Sequence, residues 1–212
     1  MKLRYSSASP FVRKVLVFAH EIGLAHNIEL VPTDVWAADT DIARDNPLGK
    51  VPTLVTADGT FIGSTLCCEY LDSLHAGPPL IPREAHGRWQ VLQRHALADG
   101  IIEAAVAHVV ETLRRPAALV DRGTLERQQG KMQRALDVIE GDVAAYDDID
   151  LASVTLGCTL GYLDFRHGAL HWRADRPKLT DWCSQFEIRP SMIATAPKVQ
   201  ISTPAHQNAQ SP

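Results

Sequence analysis

Between residues 77 and 82 the chain reads G-P-P-L-I-P, and the sequence keeps a different rhythm on each side of that break. Prolines this dense can neither carry a helix through nor donate to a sheet ladder, so the segment is a linker. Upstream, short strand-like runs alternate with helical ones. "KLRYS" suits a first strand, and Pro10 suits the first turn of a helix, where its missing N–H is not needed. Phe11, Val12, Val15, Leu16, Ala19 and Ile22 then recur at helical spacing, with Gly23 as the stop. "NIELV" is a second strand ended by Pro32, and residues 36 to 46 form a loop with at most one helical turn. "PTLVT", a turn at Asp58-Gly59 and "TFIG" make an antiparallel hairpin. From Ser64, the apolar set Cys67, Tyr70, Leu71 and Leu74 marks another helix, giving the order βαβ then ββα.

Downstream of the break no strand pattern returns. Trp89, Leu92, Ala96, Ile102, Val106, Val109 and Leu113 keep one face of a long helix that stops at Pro116. Leu125, Met132, Leu136, Ile139, Val143 and Tyr146 do the same for a second, and the two should pack antiparallel. Asp150 is an N-cap for a third helix, "LASVTLGCTLGYLDF", apolar around most of its circumference and therefore central. Ser153 stands three residues on, where a capping box needs it, and is a weaker partner than the usual acidic residue. Leu179, Trp182, Cys183 and Phe186 outline a fourth helix ending near Pro190, with Trp172 and Trp182 in the core. The reading is an α/β unit over residues 1–77, an all-helical unit over 84–197, and a polar, proline-broken tail over 198–212.

Charge narrows the partners. The 212 residues hold 21 basic and 25 acidic side chains, a formal charge of -4, with no long basic run to meet nucleic acid. No window approaches the roughly 18 to 20 apolar residues that span a bilayer, and the N-terminus has no apolar leader, so the expected place is the cytoplasm, without a membrane. Cys67 and Cys68 are adjacent while Cys158 and Cys183 stand alone. That offers neither a C-x-x-C redox pair nor a zinc spacing, and His95, His108 and His171 show no ligand spacing, so no metal is expected.

The stretch "NPLGKVPTL" at 46 to 54 shapes the entrance to a strand, because Pro52 belongs at the first strand position or in the turn before it. Together with "SPFVRKV" at 9 to 15, "GSTLCCEYLD" at 63 to 72, "ADGI" at 98 to 101, "LGYLDFR" at 160 to 166 and "RPKLTDWCSQFEIRPSMIATAP" at 176 to 197, it resembles the cytosolic glutathione S-transferases, in their bacterial, serine-type form. The resemblance covers about residues 1 to 197. It implies a thioredoxin-like N-terminal domain and an all-α C-terminal bundle, the GST fold. It further implies glutathione as co-substrate, a small hydrophobic electrophile bound between the domains, a detoxifying transferase reaction and a homodimer.

The family pattern also assigns residues. Pro52 would be cis, turning the Val51 backbone outward to pair with the cysteinyl unit of glutathione; the plainer reading is that the dipeptide merely starts a strand. Glutathione's thiol, with an ordinary pKa near 8.5, is only about 3% thiolate at pH 7, and lowering it by about two units takes roughly 2.7 kcal/mol of selective stabilisation. Ser9, at the N-cap of the first helix, could supply a hydroxyl and the positive helix end together. Ser7 is the rival donor and Tyr5 the third, and a plain cap is the alternative role for Ser9. Ser64 and Thr65 open the helix that follows the hairpin, where free N–H groups would receive the γ-glutamyl carboxylate or simply be capped. Lys50 could reach the glycyl carboxylate or stand in solvent. Gly63 departs from the family, which usually has an acidic or amide side chain there for the glutamyl amine. Asp99 could contact that amine from a neighbouring subunit, though a solvated or helix-internal role suits it better. Gly63 also motivates a second reading, a non-catalytic binding or regulatory protein on the same fold.

Overall fold

The computed structural model describes residues 1–197, and the tail from 198 lies outside the described residues. Strand β1 (Lys2–Tyr5) leads into helix α1 (Pro10–Glu21), then strand β2 (Glu29–Pro32), the hairpin β3 (Thr53–Thr56) and β4 (Gly59–Ile62), and helix α2 (Ser64–Asp72). The sheet order is β2-β1-β3-β4, with β1 parallel to β2 and antiparallel to β3. Pro32 is tolerated in β2 because that strand is the sheet edge. Gly23, at φ 74, takes the left-handed turn that ends α1.

After the linker come helices α3 (Ala85–Arg114), α4 (Arg122–Gly141), α5 (Leu151–Arg166), α6 (Pro177–Phe186) and the short α7 (Pro190–Ala194). The architecture is a thioredoxin-like four-stranded unit followed by an all-helical one, as the sequence rhythm predicts. Helix α5 is buried almost along its whole length and packs on both α3 and α1, which places it between the two units.

Three details correct the periodicity. Helix α3 buries Val91, His95, Ala98, Ile101, Ile102, Ala104 and Ala105, whereas Trp89 and Leu113 are 67% and 65% exposed. This helix packs against α5 on one side and α4 on another, so small and aliphatic residues on two faces fill the contacts while Trp89 and Leu113, near its ends, project beyond them. The second long helix ends at Gly141, and a 3-10 turn over Val143–Tyr146 carries Tyr146 into the core instead. Helix α2 stops at Asp72, whose carboxylate accepts from the Leu80 and Ile81 N–H groups, leaving Leu74 exposed. Trp172 and Trp182 are buried as expected, the latter stacked on Phe186 at 4.7 Å.

Candidate functional site

Register fixes what gathers at each end of the sheet. Arg4 of β1 stands opposite Thr53 of β3, and Thr53 stands opposite Ile62 of β4. The C-terminal end of β1, the N-terminal end of β3 and the C-terminal end of β4 therefore share one end of the sheet. Ser7 and Ser9 follow the first, Lys50, Val51 and Pro52 precede the second, and Gly63, Ser64 and Thr65 follow the third. Residues scattered over almost sixty positions are brought together by three strand ends.

Ser9 has extended backbone (φ -83, ψ 119), the geometry of an N-cap, and its Oγ accepts from the Val12 N–H at 3.3 Å. An accepting hydroxyl keeps its own proton, and among the described residues that proton has no acceptor. Ser9 can thus hold the helix and still donate outward. Ser7 lies in the turn between β1 and α1 and makes no side-chain hydrogen bond among the described residues. Tyr5 is the last residue of β1 and packs against the core.

The Val51-Pro52 bond is cis. The loop before it is built on Asn46, buried to 1% exposure, whose amide donates to the Lys50 carbonyl (2.9 Å) and Thr53 Oγ1 (3.0 Å) while its oxygen accepts from the Leu48 N–H (2.9 Å). Thr53 Oγ1 in turn donates to the Lys50 carbonyl at 2.8 Å. With the neighbouring carbonyl pinned inward, the Val51 N–H and C=O have no hydrogen-bond partner among the described residues, so a strand-like ligand could pair with them. The Lys50 side chain is exposed.

At the third strand end, Gly63 takes φ 84 and ψ 139 and gives α2 no side-chain cap. The first-turn N–H groups of α2, from Ser64 onward, are consequently open to a ligand carboxylate. Ser64 is buried, and Thr65 Oγ1 lies 2.9 Å from Nε2 of His95 on α3. A Cβ at Gly63 would meet nothing within 4 Å, so the missing side chain leaves real space beside that helix end.

Behind these elements the two units are joined by charge. Lys14 of α1, with no exposed surface, places Nζ 2.7 Å from Asp99 Oδ1 on α3. Asp99 is accordingly neither solvated nor confined to its own helix: a buried ammonium with no other carboxylate in reach among the described residues demands it. Asn46, Lys14 and His95 are the residues that sequence reasoning missed. Lys14 carried a signal, since it sits four residues before Phe18 on the face of α1 that the apolar pattern buries.

The four thiols serve packing. All are buried, and burial pushes Cys67 up to about 12 and Cys158 and Cys183 up to about 11, with Cys68 raised as well. None is a thiolate near neutral pH. Asp164, Cys183 and Glu187 come within metal-binding distance of one another, but the Arg173 guanidinium reaches into the group, 2.5 Å from Asp164. A cation is a poor fit there. Among the described residues no helix is long and apolar enough to cross a membrane.

Comparison with known proteins identifies the family. Residues 8–74 match the family described as "Glutathione S-transferase, N-terminal domain" and residues 122–184 the one described as "Glutathione S-transferase, C-terminal domain". The chain is 38% identical over 202 residues to the uncharacterized GST-like protein YibF of Escherichia coli, covering 93% of this chain and 98% of that one. A glutathione transferase family member from Pseudomonas fluorescens Pf-5, solved with bound glutathione, superimposes with a TM-score of 0.90 at 40% identity, over 93% of this chain and 99% of that one. A glutathione S-transferase from Methylobacillus flagellatus, also with glutathione bound, gives 0.87 at 34% identity, over 93% and 99% of the two chains. The chain belongs to the glutathione S-transferase family.

Proposed function

We propose that the protein is a serine-type glutathione transferase that binds glutathione across the three strand ends and activates its thiol for attack on a small, hydrophobic electrophile. One observation carries the reading: three groups with unspent hydrogen-bonding capacity, the Ser9 hydroxyl, the Val51 backbone and the open end of α2, face the same end of one sheet. Each suits a different part of the tripeptide. The α2 N–H groups and the Ser64 hydroxyl receive the γ-glutamyl carboxylate, Val51 pairs with the cysteinyl unit, and Lys50 meets the glycyl carboxylate. Thr65 contributes through its N–H. The glutathione-bound relatives support the ligand, and the Val51 N–H and C=O, without a partner among the described residues, support the pairing.

In the reaction the thiol gives up its proton to water, and Ser9 donates to the sulfur anion left behind. The positive end of α1 adds to that stabilisation. The thiolate then forms the carbon–sulfur bond while the electrophile either loses an anionic leaving group or takes up a proton. Ser9 forms no covalent bond. We place the activity in the cytoplasm, in detoxification, and assign the protein to a two-fold homodimer. The open groove between α3 and α4, lined by Ala96, Gly100 and Ala107, supports that assembly, and a solution mass near the 23.3 kDa of one chain would end it.

The test is calorimetric titration with glutathione, with the thiolate absorbance of the bound ligand followed against pH. The bound thiol is expected to ionise about two units below its free value, and Ser9→Ala to return it most of the way. If Ser9→Ala leaves the profile unchanged and Ser7→Ala moves it, Ser7 is the donor. Tight binding with no lowering in the wild type favours the non-catalytic reading that Gly63 motivates.

A further inference from the structure

The mouth of the site has a polar backing that the proposed chemistry does not use. His95, on α3 and 5% exposed, places Nε2 2.9 Å from Thr65 Oγ1 on α2 and Nδ1 2.9 Å from Thr155 Oγ1 on α5. Three helices from the two units of the fold thus meet on one imidazole. We propose that His95 is a positioning residue for glutathione: it holds the open N-terminus of α2 in place through the Thr65 hydroxyl. The inference rests on the glutathione reading above.

The network assigns the ring's protons. Thr155 Oγ1 lies 2.6 Å from the Leu151 carbonyl, an acceptor only, so the Thr155 proton is committed there. Thr155 must therefore accept from His95, which puts the ring proton on Nδ1. Nε2 is then an acceptor, and Thr65 donates to it. Burial, reinforced by the Lys14 ammonium, lowers the His95 pKa to about 4, which keeps the ring neutral and this arrangement intact at neutral pH, despite the Asp99 carboxylate nearby. The charged groups that face the ring are Lys14 from α1 and Asp99 from its own helix, paired with each other at 2.7 Å.

Two consequences follow for the ligand. The Thr65 proton points inward to the ring, so the side-chain donor left for a carboxylate at this helix end is Ser64. The helix end itself is fixed from behind, which matters because Gly63, at φ 84 and without a side chain, gives it no anchor from in front. A helix start lacking both anchors would sample orientations in which its N–H groups diverge from the ligand, and fixing it beforehand removes that cost from binding.

The experiment compares His95→Asn and His95→Gln with the wild type, reading the glutathione dissociation constant by calorimetry and the urea midpoint in parallel. Glutamine puts an acceptor near the place of Nε2 and can keep the Thr65 bond; asparagine puts its amide near the place of Nδ1 and keeps the Thr155 bond instead. We expect asparagine to weaken glutathione about five- to tenfold and glutamine to restore it to within about twofold, at comparable urea midpoints. Thr65→Val provides a second route if His95→Asn does not fold: it should show the same loss, and in its background His95→Gln should change affinity no further. Wild-type binding of glutathione with asparagine or valine at unchanged affinity overturns the inference and leaves the glutathione site standing. Losses that follow the urea midpoint, with glutamine no better than asparagine, overturn it too. Absence of glutathione binding by the wild type overturns both readings together.

Discussion

Helices α5 and α2 both start at the boundary between the two units, and they start in opposite ways. At α5 the chain closes every group on itself: Asp150 Oδ1 accepts from the Ser153 N–H and Ser153 Oγ accepts from the Asp150 N–H, each at 2.9 Å, while Arg94 covers the other carboxylate oxygen at 3.0 Å. At α2 the corresponding position is a glycine with no side chain to fold back. An N-terminus leaves its first N–H groups unpaired wherever it occurs, so the chain must either spend side chains on them or leave them for something else. The sealed start serves the fold. On the proposed reading the open one is left for a ligand, and Thr65 with His95 ties it from behind.

The contrast makes a rule that can be broken: groups sealed by the chain should move stability and leave affinity alone, and open groups should do the reverse. The largest test is Asp99→Ala, which strands the fully buried Lys14 ammonium. Removing one partner of such a pair costs about 3 to 5 kcal/mol, and urea denaturation should show it. A Lys14→Met, Asp99→Leu double variant should recover most of the loss, because the stranded charge, rather than the missing bond, is the source of the penalty. An unchanged midpoint in Asp99→Ala would mean that Lys14 reaches water and was never sealed.

Asp150→Ala comes next. It removes the capping box and one partner of Arg94, but burial already pushes the Asp150 carboxyl above its ordinary value, with the Ser153 N–H and Arg94 offsetting part of that cost. The net loss should therefore be about 2 kcal/mol, near the upper range for a cap and less than its two side-chain hydrogen bonds would suggest. Glutathione affinity, measured well below the unfolding midpoint, should stay within twofold. A loss of affinity here would couple the two helix starts through α3 and blur the distinction between them.

How much of this was legible from the sequence divides along the same line. Strands, helices and their order could be read because each announces itself locally: Pro10 and Gly23 bracket α1, the Asp58-Gly59 turn closes a hairpin, and Asp150 with Ser153 marks the start of α5. The three segments of the candidate site came from the family resemblance, and their meeting at one end of the sheet needed the strand register, which no local pattern carries. What could not be read was the polar backing. His95, Thr65 and Thr155 are spread over ninety positions, each an ordinary residue where it stands, and only tertiary packing puts them on one ring. The face of α3 misled for a related reason. A helix packed on two sides buries alanines and a histidine, so hydrophobicity stops marking the inside.

The smallest effect should come from filling the gap in front of α2. Gly63→Asp forces an L residue to φ 84, a conformation that costs of order 1 kcal/mol even for aspartate, which tolerates positive φ better than most residues. There is room for the side chain, since an added Cβ meets nothing within 4 Å. Two roles are then open to the new carboxylate, and they predict opposite signs. If it turned onto the α2 N–H groups it would act as a cap, compete with the ligand's own carboxylate and weaken binding. Capping, however, requires extended backbone at negative φ, as Ser9 and Asp150 have, and position 63 does not have it. The carboxylate should instead stand beside the helix start, where the glutamyl amine would lie, and tighten glutathione about fivefold, the effect of one charge-assisted hydrogen bond partly exposed to water. Gly63→Ala shares the backbone strain without the charge, so the ratio of the two dissociation constants isolates the carboxylate. A ratio near one would mean that the amine lies elsewhere, and weaker binding by aspartate than by alanine would mean that the open start of α2 can be sealed after all.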